Sequence, residues 1–208
     1  MTFADWVSAL ANGVIALSAA AGAIIAGIGL STWKSQTRWH SDRELARRLL
    51  VNLYKYRDAI KGVRNPAMFS NEMPKPPENE AEGMNADQIR YYGITTAYEN
   101  RWKKAQDVRA NLYSDFLEAE AIWGPDVRDL FHRIHKLQTE LLMVVQNHLR
   151  LIDPDASDGM KEDYERIARK KRDILYDNWS EDDEFNKEFQ DALAPIEAML
   201  IGKLGQNR

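Results

Sequence analysis

From Val7 to Thr32 the chain reads VSALANGVIALSAAAGAIIAGIGLST, twenty-six positions without a charged side chain, with Trp6 and Trp33 at its two ends. Beyond it the pattern changes. Apolar residues recur every three or four positions almost to the end of the chain, and no run alternates with a period of two. The first pattern predicts a membrane-spanning helix. A bilayer core about 30 Å thick needs roughly 20 apolar helical residues at 1.5 Å each. Tryptophan favours the headgroup level at either end of such a span. The stretch ahead of it, MTFAD, has no Lys or Arg, which argues against a secretory signal. Residues 1–33 are therefore expected to form a transmembrane anchor, and residues 34–208 a helical bundle.

The second pattern predicts helices one by one. Leu45, Leu49, Leu53, Tyr56, Ile60 and Val63 mark a helix starting near Ser41 or Asp42. A Pro- and Glu-rich stretch, 64–86, follows as a loop with few apolar residues to pack. Ile94, Tyr98, Trp102, Ala105, Leu112, Phe116, Ala119 and Trp123 define a long helix resuming near Asp87. Gly124-Pro125 stops it, Gly as a C-terminal cap and Pro as an opener. Val127, Leu130, Ile134, Leu137, Leu141, Val144 and Leu151 then mark the return arm of an antiparallel hairpin. Asp153-Pro154-Asp155 ends it, and Tyr164, Ile167, Ile174 and Leu175 suggest a fifth helix. Ser180 with Asp183 resembles a capping box for a last helix carrying Phe185, Phe189, Leu193, Ile196 and Leu200, which Pro195 should kink or divide. The fold class is all-α: a single transmembrane helix, then a cytoplasmic bundle dominated by a long hairpin.

Charge sets the expected orientation. Between Lys34 and Arg64 there are nine basic residues and three acidic ones, whereas the whole chain carries a formal −4. Basic flanks stay on the cytoplasmic side, so the N-terminus is expected outside and 34–208 in the cytoplasm of an inner membrane. Trp6, Trp33, Lys34, Arg38 and Trp39 are the expected interface anchors, and anionic lipid the neighbour of the basic ones. The strongly acidic remainder opposes a nucleic-acid role, since gripping phosphates requires clustered Lys and Arg. The absence of Cys excludes disulfides, thiolate catalysis and thiolate-bound zinc.

Within the span, Ala9, Gly13, Ala16, Ala20, Ala23 and Gly27 fall on one stripe at spacings of four and three, with Asn12 beside it. Helices in lipid associate through such small residues, and an interfacial amide can bond across the pair. The 3.5-residue period matches a left-handed coiled pair. A homo-oligomer through this face is the expectation.

Candidate chemistry is sparse. Asp129, His132 and His135 come nearest to a metal motif, but a bundle di-metal site needs carboxylate–histidine units from several helices. Their position beside Leu130, Ile134 and Leu137 suits ordinary boundary histidines. Arg169-Lys170-Lys171-Arg172 is the densest basic run; its Arg169, Lys170 and Arg172 are a weak anion-site candidate, with Glu162, Asp163, Glu165 and Asp173 close by to pair with them. Trp102, Trp123 and Trp179 at helical spacing suit a core better than an aromatic pocket. Gly22, Gly27 and Gly29 do not make a phosphate loop, because no Lys-Ser/Thr follows them. No hydrolase, kinase, zinc-protease or nucleotide motif is present, and no catalytic residue or cofactor is named.

These features favour a non-enzymatic, membrane-anchored assembly or interaction module with a bundle that senses a cytoplasmic protein or ligand. One alternative is an oligomeric effector that permeabilises the bilayer on a cytoplasmic signal. Another is a membrane-tethered, metal-binding bundle enzyme.

Overall fold

In the computed structural model the described residues are 3–180 and 182–205. Among them are six helices and no strand: α1 (Phe3–Arg64), α2 (Glu78–Ala81), α3 (Ala86–Trp123), α4 (Asp126–Leu151), α5 (Asp158–Arg169) and α6 (Glu184–Gly205). α1 is one uninterrupted helix of 62 residues. No Gly or Pro stands between Trp33 and Lys61, so nothing there breaks the backbone ladder.

The chain divides into two units, one ending at Glu44 and the other beginning at Leu45. The first unit is helix alone. The second is a bundle, and burial starts with its first residue: Leu45, Leu49 and Leu53 are completely covered. The packing boundary thus falls eleven residues after the expected end of the anchor, because positions 34–44 continue the helix with polar and basic side chains rather than core ones.

Four long helical segments build the bundle. The 45–64 part of α1 meets α3 through Arg48 and Asn52 at Asp115, and near its other end through the Asn65 carbonyl at Arg101. Partners step in opposite directions, so these two run antiparallel. α3 and α4 are antiparallel as well: Phe116 lies 4.3 Å from Phe131 between ring centroids, and Tyr98 lies 6.0 Å from His148. Gly124, at φ +102°, makes the turn between them in a conformation that glycine adopts without strain. α6 returns beside α1, with Phe189 against Tyr56 and Phe185 under Arg64. The core comprises the predicted stripes almost residue for residue, including all five positions on α6. Tyr56 donates a buried 2.8 Å hydrogen bond to Gln138, joining α1 to α4.

Several expectations are corrected. The fifth helix ends at Arg169, and Ile174 and Leu175 are buried in the following non-helical segment. The reason is Arg64, which donates to the carbonyls of Ile174 and Tyr176, while the Asp177 amide donates to the Arg64 carbonyl. A helix would have used those groups internally. The cap of α6 is Asp183, whose carboxylate accepts from the Asn186 amide at 2.8 Å; the Ser180 hydroxyl accepts from Asp182 instead. Pro195 sits on the exposed side of α6, which continues through it. Most of the 64–86 stretch is exposed, but it is pinned to α3 at defined points. Arg101 bonds both oxygens of Glu72 and the carbonyls of Asn65 and Ala67, and Pro76 is buried. α3 begins with the capping box of Asn85 and Gln88.

Candidate functional site

The most unusual surface belongs to the first unit. α1 is long and apolar enough to cross a membrane, and the rest of the chain covers none of its apolar window. Ile15, Leu17, Ile24, Ile25, Ile28 and Leu30 are all more than half exposed. A soluble protein rarely exposes a continuous apolar patch of this kind. Asn12, Gly13, Ala20, Ala23 and Gly27 are exposed too. The side chains of Trp6, Ala9 and Ala16 lie outside the described ones. A Cβ placed on Gly13 or Gly27 would meet no atom of this chain within 4 Å, so no contact inside the molecule requires glycine there. The hydroxyls of Ser31 and Thr37 donate back to the carbonyls of Ile28 and Trp33, at 2.8 and 2.9 Å, which satisfies them within the helix.

At the expected interface Trp33, Lys34 and Arg38 are exposed. Trp39 is half-buried, with Arg43 5.0 Å over its ring and His40 edge-on at 5.3 Å. Arg48 and Arg64 serve the bundle instead. Arg48 pairs with Asp115 and Glu118. Arg64 is buried against Asp183, with only 4% of either side chain exposed.

Of the anion candidate, Arg169 and Arg172 line one cavity, but carboxylates engage both. Arg169 pairs with Glu165 on the solvent side of α5, and Lys170 is exposed at its C-terminal cap. Arg172 has left the helix and is gripped in bidentate fashion by Glu140 and by Glu188, all at 2.8–2.9 Å. The hydrogen bonds it donates to Glu140 and then to Glu188 raise its pKa further, and the two carboxylates offset its charge. Asp129, His132 and His135 are all exposed, and His135 lies 3.2 Å from an Arg109 nitrogen. Among the described residues no group of three or more His, Asp or Glu side chains could hold a metal ion. Trp102 and Trp123 pack on the core, whereas Trp179 is 74% exposed at φ +52° and belongs to neither core nor pocket.

A cavity between α4, α5 and the 171–176 segment escaped the sequence reading. It has a volume of about 580 Å³. His148 lines it, edge-on to buried Tyr98 at 6.0 Å and to Tyr176 at 6.2 Å. Burial lowers the His148 pKa, and Asp173 opposes that only partly. Burial raises the Tyr98 pKa, helped by Tyr176. The one local signal was the apolar and aromatic face of α5, Met160, Tyr164 and Ile167, on a helix that buries nothing.

No protein-family description matches this chain, and no curated protein or solved structure matches it either.

Proposed function

We propose that the chain is a membrane-anchored helical module that self-associates through the small-residue face of its span and presents a sensing bundle to the cytoplasm. The observation that carries this reading is the uncovered apolar stretch of α1. Leaving several large aliphatic side chains in water is costly at about 25 cal/mol per Å², and lipid removes that cost. Glycine in a helix interior costs about 1 kcal/mol relative to alanine. Gly13 and Gly27 gain nothing inside the molecule in return, whereas close approach of a second span offsets that cost. Lys34 and Arg38, exposed just past the apolar run, support a cytoplasmic bundle by the positive-inside rule. No metal or nucleic acid enters this reading.

Alkaline carbonate extraction of cell membranes tests the anchor. The chain should stay in the membrane pellet, and Ala20→Arg with Ala23→Arg should move a large share of it to the supernatant. Full release of the unsubstituted chain would contradict the anchor. Topology can be read with single cysteines, since the chain has none. Asp5→Cys should be labelled from outside intact cells, and Lys203→Cys only after the membrane is opened.

A further inference from the structure

We propose that the cavity between α4 and α5 binds a small amphiphilic anion: an apolar or aromatic body carrying one carboxylate or phosphate group. This gives a ligand class to the sensing role above and depends on that reading for nothing else. At about 580 Å³ the space falls within the few hundred to 1,000 Å³ typical of small-molecule sites. Its walls are Met143, Val144 and Leu151 of α4, Ile167 of α5, and Leu175.

α5 itself points to an occupant. It buries no residue, and its Tyr164 and Ile167 face the cavity instead of interlocking with α4. A 12-residue helix has little stability alone and depends on what its apolar face packs against. Here that face is tethered by the Asn147 side chain donating to the Tyr164 carbonyl at 3.3 Å and by Arg150 5.4 Å over the Tyr164 ring. The space between the helices is left for a guest to fill.

Charge at the rim selects the guest's sign. Arg150 and Lys171 line the cavity, both are exposed, and among the described residues no carboxylate pairs with either. The other two cations, Arg169 and Arg172, are already neutralised. Asp173 is the only acid in the lining, and its carboxylate accepts from the Leu175 amide. An acidic head at Arg150 and Lys171 with an apolar tail between Ile167 and Leu151 satisfies both halves of the site.

The test uses the full chain in nanodiscs of zwitterionic lipid and a diazirine-bearing dodecanoate as the probe. Photolabel should map to peptides from 143–151 and 160–175, and excess dodecanoate should compete it away. Ile167→Trp, which fills the space, and Arg150→Glu with Lys171→Glu, which reverse the rim charge, should each weaken labelling about tenfold, the size expected when a charge-assisted contact is lost. Both sites are on the exposed surface, and unchanged helicity by circular dichroism verifies the fold. A diazirine phospholipid built into the disc separates the sources. Label from it on the same peptides identifies a bilayer lipid as the ligand, and label only from free dodecanoate a soluble amphiphile. Label confined to residues 7–32 with either probe, or labelling of α4 and α5 indifferent to the substitutions, would overturn the proposal. Neither result would alter the oligomer measurement that tests the membrane module.

Discussion

Arg64 closes α1 and anchors the 174–183 segment that leads into α6. Its guanidinium spends its donors on the Ile174 and Tyr176 carbonyls and on Asp183, and its face lies 4.5 Å over the Phe185 ring. Breaking a buried ion pair from one side strands the other charge, at about 3–5 kcal/mol. Arg64→Ala should lower the unfolding free energy by about that amount in urea titrations followed by tryptophan fluorescence. Arg64→Lys should recover little, because a point charge cannot reproduce the fork. Burial pushes the Asp183 carboxyl up, but Arg64 and the Asn186 amide outweigh it and hold the pKa below its usual value of 3.8. A depressed carboxylate stabilises the fold above its unfolded pKa, and that contribution is lost as pH falls through the folded one. His148 adds a contribution of the same sign, in a higher pH window. Its folded pKa lies below the ordinary 6.5, so the unfolded chain takes up the proton first. Stability should therefore fall as pH drops below about 6.5 towards the folded pKa, and His148→Gln should remove that part of the slope. Melting temperatures across pH 5–8 check it; an identical slope in the variant would show that His148 is not its source.

Elements were legible where they obey a period. The stripes of α1, α3, α4 and α6 are written locally as residues three and four apart, so the core followed from them. Long-range pairing leaves no such trace. Arg64 looked like one more basic residue beside a membrane, and Arg172 like one more charge in a basic run, until residues far along the chain came to meet them. The same holds for 64–86, whose composition reads as loose, yet Arg101 and Gly93 pack it. A Cβ at Gly93 would lie 3.2 Å from the Met73 Cβ and 3.4 Å from the Pro74 carbonyl oxygen. Gly93→Val should lift this stretch from α3, so that chymotrypsin cuts after Phe69 several times faster while the core stays folded. An unchanged cleavage rate would mean that Arg101 alone holds the segment. The cavity at α5 was illegible for a different reason: periodicity says which face is apolar, not whether a partner fills the space against it.

At the scale of the molecule, two kinds of surface divide the labour. The bundle buries its apolar stripes within itself and spends several of its arginines on internal clamps. The span leaves the large apolar side chains described between Ile15 and Leu30 more than half exposed, and its Gly13 and Gly27 serve no contact inside the molecule. On the proposed reading, lipid covers this helix and a second copy packs on its small-residue face. The most direct measurement is the mass of the full-length protein in mild detergent, by light scattering corrected for bound detergent, next to the same chain with Ala16, Ala20 and Ala23 changed to Leu. A defined oligomer that falls to monomer in the substituted chain is the predicted result. A monomeric natural chain, or an oligomer unmoved by the three leucines, would contradict self-association through the small-residue face.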